Sequence, residues 1–426
     1  MQRIPGYDTR DRMVDVRLDW DKPDGPTIEV FAREVTAPGR MQEDLPVLVF
    51  LQGGPGGKSP RPNRGPAWLD VATRRHRVLL LDQRGTGRST PVQGRQFAAM
   101  GAEEGADYLS CLRADSVVKD CEHIRKTLFD GKPWFTLGQS YGGFLTLSYL
   151  SHAPEGLAGC YVTGGLAGVK ADAATIYRHT YPRVAHKNAL YFNRYPGDRA
   201  KVDRLADRLA RGDVRLPDGD VLSVRRLQYL GMELGTVEGF ETLHWLLDEA
   251  FAADGEVSDS FLGAVRGMTA FDDNPLFAAI HEGIYGQGGA RTGWAAEQLL
   301  SEFPAFADDA RPLLFTGEMI YPWMFDDIRA LRPFKPAAEA LAQRPLDAPL
   351  YDHARLAENA VPVWAAVYAD DMYVDMSLSM QTARDVGNVR VWLTNEYEHN
   401  GLRHTGRVLE HLFAMEDSLD GHAYLG

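Results

Sequence analysis

Trp134-Phe135-Thr136-Leu137-Gly138-Gln139-Ser140-Tyr141-Gly142-Gly143-Phe144 passes from an apolar run through Gly-x-Ser-x-Gly into a helical pattern that continues to His152. In a turn of this kind the serine occupies a strained corner between strand and helix. Its hydroxyl is pushed into solvent, and the flanking glycines let neighbouring backbone pass without a Cβ clash. Ser140 is therefore the first candidate nucleophile. A chain with 42 glycines meets a five-residue pattern by chance, but chance seldom places a strand before it and a helix after it.

Outward from this corner, strands alternate with helices. Val14 to Trp20 and Thr27 to Val35 read as a strand pair, and Pro46 to Leu51 and Val78 to Leu81 as buried strands. A helix is expected over Arg113 to Leu128, then strand 134–137, helix 141–152 and a short strand Gly159 to Val162. Such alternation implies an α/β fold with a mostly parallel sheet covered by helices on both faces. Near Gly165 the rhythm stops. From Ala171 to about Gln343 helical patterns dominate, at Arg204 to Arg211, Phe240 to Ala252, Trp294 to Phe303 and Pro336 to Ala342. The sheet resumes with Val361 to Tyr368, helix Leu378 to Val386, strand Val389 to Leu393 and a closing helix from about Thr405 to Met415. The expected division is an N-terminal core part over 1–165, a helical cap domain over 166–345 and a C-terminal core part over 346–426. Ligands of open α/β sheets bind beyond the carboxyl ends of the strands, where such an insertion roofs them.

The 426 residues allow one large domain with an insertion, and 44% hydrophobic with 25% charged residues fits a globular enzyme. A net charge of −13, with only short basic pairs such as Arg74-Arg75, argues against nucleic acid or an anionic membrane as partner. Cys111, Cys121 and Cys160 form no metal-ligand pair and no even disulfide set, which points to a reducing compartment. Met1 to Trp20 is charged throughout and no later run approaches a membrane span, so a cytoplasmic location is expected.

A serine hydroxyl needs a base near neutral pH, and that base needs an acid to fix its tautomer. In this kind of fold the chain order is Ser, Asp or Glu, His. Asp370-Asp371-Met372-Tyr373-Val374 follows one late strand, and Glu396-Tyr397-Glu398-His399-Asn400-Gly401 follows the next. Asp371 and His399 are the candidates, with Asp370 and Asp375 as rival acids and His404 as rival base. Gln52-Gly53-Gly54-Pro55-Gly56-Gly57 follows a buried strand, and its backbone suits an oxyanion hole made by the N–H groups of Gly54 and Tyr141, with Gly53 as alternative. A phosphate loop ending at Gly57-Lys58-Ser59 would need its first glycine where Gln52 stands. A third motif, Asp82-Gln83-Arg84-Gly85-Thr86-Gly87-Arg88-Ser89, holds no acid–base pair of its own and reads as support beneath the oxyanion loop.

Together these motifs resemble the proline iminopeptidase (prolyl aminopeptidase) family of α/β-hydrolases, and its larger subgroup in length. Members carry a Gly-Gly-Pro-Gly oxyanion loop, Asp-Gln-Arg-Gly-x-Gly-x-Ser and a Gly-x-Ser-x-Gly-Gly elbow. This sequence departs from the pattern at Gln52, where many members have His, and at Tyr368-Ala369-Asp370, where a Gly-containing turn is more usual. The resemblance implies an α/β-hydrolase core with an inserted helical cap, and a serine aminopeptidase that releases N-terminal residues, preferably proline, from peptides with a free N-terminus. It implies no metal and no cofactor. A buried ammonium requires carboxylate partners, and the cap offers Glu318, Glu282 and Glu233 among aromatics and glycines. Tyr285, Tyr321, Trp323 and Phe325 are candidates for an apolar wall against a pyrrolidine ring. Rival readings are a tripeptide-releasing peptidase or esterase of the same fold, and a hydrolase-fold binding protein without catalysis.

Overall fold

The computed structural model describes residues 1–63 and 67–418. One nine-stranded sheet runs through it, with strands β1 (Gln2–Ile4), β2 (Tyr7–Arg17), β3 (Thr27–Thr36), β4 (Val47–Leu51), β5 (Arg77–Leu81), β6 (Trp134–Gln139), β7 (Leu157–Thr163), β8 (Val363–Tyr368) and β9 (Val389–Thr394). Their spatial order is β1-β2-β3-β5-β4-β6-β7-β8-β9. The first three strands and the β3–β5 junction are antiparallel, and every pairing from β5 to β9 is parallel.

The continuous apolar runs arise because the central strands are buried on both faces. Leu48 and Phe50 of β4, Val78 and Leu80 of β5 and Leu137 of β6 pack with Trp68, Leu409, Leu412 and Phe413. These last four come from helices Ala67–Thr73 and Arg407–Asp417. Val49, Leu51, Leu79 and Leu81 point the other way, into the layer formed with Val117, Cys121, Ile124 and Leu147. Helices Ala114–Leu128 and Tyr141–His152 supply that layer. Both faces are thus covered, as the alternation requires.

The amino-terminal hairpin extends further than its hydrophobic alternation indicates. β2 starts at Tyr7 rather than Val14 and pairs with β3 from Asp8↔Thr36 to Arg17↔Thr27. Its first half is polar, and its charges find partners across the pair: Arg12 Nε lies 2.6 Å from Glu34, and Arg33 Nε 2.6 Å from Asp11. Cross-strand ion pairs of this kind stabilise a strand that has little apolar signal.

Between β7 and β8 the chain adds helices and no strand of the sheet. The longest is Ala173–Arg194, capped by Asp172, whose carboxylate accepts from the Thr175 N–H at 2.8 Å. The sequence pattern misses it because Pro182 lies inside and its single buried stripe carries the polar residues Thr180, Lys187 and Asn188. The expected helices take the bounds Pro196–Leu209, Gly239–Asp248, Ala295–Leu299 and Lys335–Gln343. Among the described residues no helix is long and apolar enough to cross a membrane.

Candidate active site

Ser140 stands between β6 and helix Tyr141–His152 with φ 57° and ψ −125°, a conformation strained for any residue with a Cβ. The surroundings hold it there. Its N–H donates to the Thr163 carbonyl at 3.0 Å, tying the corner to the end of β7. A Cβ on Gly142 would meet the Leu51 carbonyl oxygen at 1.8 Å, and one on Gly143 would meet that of Gly165 at 2.3 Å. The glycines of the motif are therefore required by backbone packed against backbone.

The loop of Gly53 and Gly54 follows β4 directly against this corner. A Cβ on Gly53 would meet the Ser140 Cβ and the Gln139 carbonyl at 2.9 Å each. Gln83 Nε2 donates to the Gln52 carbonyl at 2.8 Å and so fixes the peptide that leads into Gly53. Gly54 has φ 130°, which a side chain would oppose. Among the described residues no backbone acceptor receives the N–H of Gly53, Gly54 or Tyr141, so the geometry leaves both glycines open as donors. The Asp82 motif acts as support. Asp82 accepts from the Ser59 and Arg88 N–H groups and from Arg61, while Arg84, fully buried, is paired with Asp120 at 2.5 Å and donates to the carbonyls of Arg17, Leu18 and Cys111.

Asp371 and His399 meet across the ends of β8 and β9. His399 Nδ1 lies 2.7 Å from Asp371 Oδ2, with both residues buried. Asp371 Oδ1 accepts from the N–H groups of Tyr373 at 2.8 Å and Val374 at 3.0 Å, so the whole carboxylate is held. The imidazole and the serine both abut the same glycine pair. A Cβ on Gly164 would meet His399 Nδ1 at 3.2 Å, and one on Gly165 would meet the Ser140 carbonyl at 2.5 Å. Burial lowers the His399 pKa, but Asp371 and, less strongly, Glu318 together raise it more, and the net shift is upward. The rivals lie elsewhere. Asp370 is exposed, Asp375 caps helix Met376–Asp385 through the Ser377 and Leu378 N–H groups, and His404 pairs with Glu238 at 2.7 Å on the surface.

The glutamates separate into distinct environments. Glu318 is half-buried, and burial, with Asp371 adding to it, pushes its carboxyl up to about 7 against the opposing pull of His399 and Arg403. Glu233 is also half-buried, and burial followed by repulsion from Glu238 raises it. Both act on Tyr229 and Tyr373. Glu282 is buried, and its two oxygens accept from the Ala295 and Ala296 N–H groups at 3.0 Å each. Burial still pushes it up to about 7, although those amides favour its charged form. It caps a short helix, and its carboxylate is already engaged.

Of the aromatic residues, Tyr285 packs between Phe144 and Tyr177 with ring centroids 6.1 and 6.2 Å away, and it feels the charges of Glu318, Glu282 and Asp371. Tyr321 shares a hydrogen bond with the Tyr181 hydroxyl at 3.0 Å, and Trp323 stacks beyond it beside Arg225. Phe325 is buried against Trp294. Three nearby residues escape sequence reading. Tyr373 sets its ring edgewise on His399 at 4.8 Å, with its hydroxyl donating to the Met232 carbonyl. Arg403 Nη2 donates to Gln139 Oε1 at 2.8 Å, next to Ser140. Lys187 reaches Glu398 from the insertion. Tyr373 lies two residues past the candidate acid and Glu398 directly before the candidate base, but Lys187 carries no local signal.

The sheet, the elbow at its carboxyl edge and the insertion after β7 define an α/β hydrolase, and residues 46–208 match the α/β hydrolase fold family. Beyond the fold, a proline iminopeptidase of Aeromonas sobria is 47% identical over 403 residues, covering 94% of each chain. One of Aspergillus aculeatus is 33% identical over 428 residues, covering 95% of this chain and 93% of the relative. One of Neisseria meningitidis is 34% identical over 117 residues, 28% of this chain and 32% of the relative. The chain belongs to the proline iminopeptidase family.

Proposed function

We propose that this protein is a serine aminopeptidase that removes N-terminal residues, preferably proline, from peptides with a free N-terminus. The observation that carries the reading is the buried 2.7 Å pair of Asp371 with His399, set beside the strained Ser140 corner in a chain of this family. Ser140 attacks the first carbonyl and His399 takes its proton and delivers it to the leaving amine. Asp371 holds the imidazole with Nε2 free to act as base, and water then cleaves the acyl-enzyme with His399 as base again. The oxyanion sits on the N–H of Tyr141 and that of Gly54 or Gly53, supported from below by Gln83.

The helical insertion is the cap, roughly residues 166–345 between core parts 1–165 and 346–426. Glu318 is its foremost carboxylate for the substrate ammonium, with Glu233 second, because both are half-buried and neither is engaged as Glu282 is. Tyr285 supplies apolar wall near the triad, and Tyr321 and Trp323 lie further out. Three free cysteines, two of them buried, fit a reducing, cytoplasmic setting. The deciding experiment compares prolyl-naphthylamide with its N-acetyl form. Cleavage of the free amine alone is expected, and equal rates would favour an esterase or general amidase of the same fold.

A further inference from the structure

The core's acid and base loops and the segment leading into Glu318 belong to distant parts of the chain, yet one face of one helix touches all three. Arg183, Val184, Lys187 and Asn188 lie at helical spacing on Ala173–Arg194. Arg183 Nε is 2.8 Å from Asp375, four residues past Asp371. Val184 lies against Gly317, where a Cβ would meet its Cγ2 at 2.6 Å and the Met372 Cε at 2.9 Å. Asn188 clasps Phe315, accepting its N–H at 2.8 Å and donating to its carbonyl at 2.9 Å, three residues before Glu318. Lys187, with its side chain 2% exposed, places Nζ 2.5 Å from Glu398 Oε1, immediately before His399.

We propose that Lys187 is a positioning residue of the triad: its ammonium, carried by the insertion, holds Glu398 and with it the loop that presents His399. The proposal rests on the triad reading above. A buried cation needs an anion to offset desolvation, and Glu398 is that partner. Glu398 has no other: its Oε2 is buried and, among the described residues, unpartnered. Burial above all, with repulsion from Asp371 and Asp370 added, raises its carboxyl, and Lys187 is the cation that opposes this and keeps an anion tolerable at this place. The His399 N–H adds a second tie, donating to the Gly235 carbonyl of the insertion at 3.1 Å. The charged groups facing His399 are Asp371, Glu318 and Arg403, with the Tyr373 ring on its edge. The Lys187–Glu398 pair lies one residue behind it.

The test uses the full-length enzyme with proline p-nitroanilide. Lys187→Met is expected to lower kcat about 10- to 100-fold, the scale of a small misplacement of a catalytic group, with KM within about threefold of the parent. Without the cation, buried Glu398 takes up a proton and no longer anchors the loop, so kcat falls while the acid limb of the kcat/KM profile stays near its parental position. Glu398→Gln leaves the cation unopposed and moves that limb to lower pH. The double variant Lys187→Met/Glu398→Gln returns the limb to its parental position, and Lys187→Arg keeps most of the rate. A pair that served stability alone would leave both the Lys187→Met kcat and the Glu398→Gln limb unmoved. An unmoved limb in Glu398→Gln, or a Lys187→Met loss carried by KM alone, would overturn the proposal. Glu398→Gln, a near-isosteric change on a loop, keeps the test available if Lys187→Met does not fold. A fluorophosphonate that failed to label Ser140 in the parent would remove the triad reading itself, whereas labelling with an unmoved Glu398→Gln limb would count against Lys187 only.

Discussion

Replacing Glu318 by Gln keeps the shape of the side chain and removes its charge, and three effects of different sign follow. For catalysis, the ammonium of the substrate loses a half-buried carboxylate, worth about 2 to 4 kcal/mol in transition-state stabilisation. At about 1.36 kcal/mol per tenfold, that is roughly 30- to 900-fold in kcat/KM. For pH dependence, burial holds the parent carboxyl at about 7, so kcat/KM on a free-amine substrate rises through neutrality as the carboxylate forms, and E318Q lacks that rise. Glu318 is also one of the anions that raise His399, so the histidine limb of E318Q moves to lower pH. For stability, the folded-state pKa lies above the unfolded one. The unfolded chain therefore binds fewer protons between the two values, and the folded state loses stability as pH rises from the ordinary glutamate range through about 7. E318Q should melt at a higher temperature than the parent at pH 8 and show no such gain at pH 4. The assays are prolyl-naphthylamide kinetics from pH 5 to 9, thermal melting at the two pH values, and labelling of Ser140 by an amine-free phosphonate, which should be nearly unchanged. An active-site role for Glu318 is refuted if the variant keeps the parental kcat/KM, or if labelling falls as far as peptidase activity does.

Ser140→Ala should remove about 10⁴- to 10⁶-fold of turnover with an unchanged circular dichroism spectrum, and near-parental activity would unseat it as nucleophile. His399→Ala should be almost as damaging while His404→Ala is mild, since His404 reaches only Glu238; Asp371→Asn should likewise far exceed Asp370→Asn, read as kcat on the same substrate. Gly142→Ala should cost about 3 kcal/mol or more of stability by denaturant titration, because its Cβ would sit 1.8 Å from the Leu51 carbonyl with backbone on both sides.

How much of this was legible follows from where the constraints reside. The elbow, the oxyanion loop and the Asp82 motif could be read because each is local: a strand end and a few glycines in one short stretch determine it. Asp371 and His399 were legible because chain order and strand ends limit the choice, and the structure brings them to 2.7 Å. The first half of β2 was hidden by its cross-strand ion pairs, and helix Ala173–Arg194 by Pro182 and by the polar Thr180, Lys187 and Asn188 on its buried stripe. The glutamates show the limit most clearly. Glu282 and Glu318 both lie among aromatics and glycines, and only three-dimensional packing reveals that one caps the helix at Ala295 while the other faces the histidine. Lys187 was out of reach because its partner lies 211 residues away.

That distance bears on how an insertion of this kind works. If the helices after β7 only roofed a finished catalytic centre, their contacts with the core would fall on the rim. Instead they reach the loops that hold Asp371, His399 and Gly56. The Gly235 carbonyl takes the His399 N–H, Tyr373 of the acid loop donates to the Met232 carbonyl, and Asn274 stands against Gly56 of the oxyanion loop, where a Cβ would meet its Oδ1 at 2.6 Å. The same insertion supplies Glu318. On the proposed reading, the element that would recognise the amino terminus is also the one packed against the candidate base, acid and oxyanion donors, and a displacement of either is transmitted to the other through packed groups. Specificity for the first residue and alignment for attack on its carbonyl then share one set of contacts. Changes in the insertion that leave every reacting group in place should accordingly appear in kcat as well as in substrate choice.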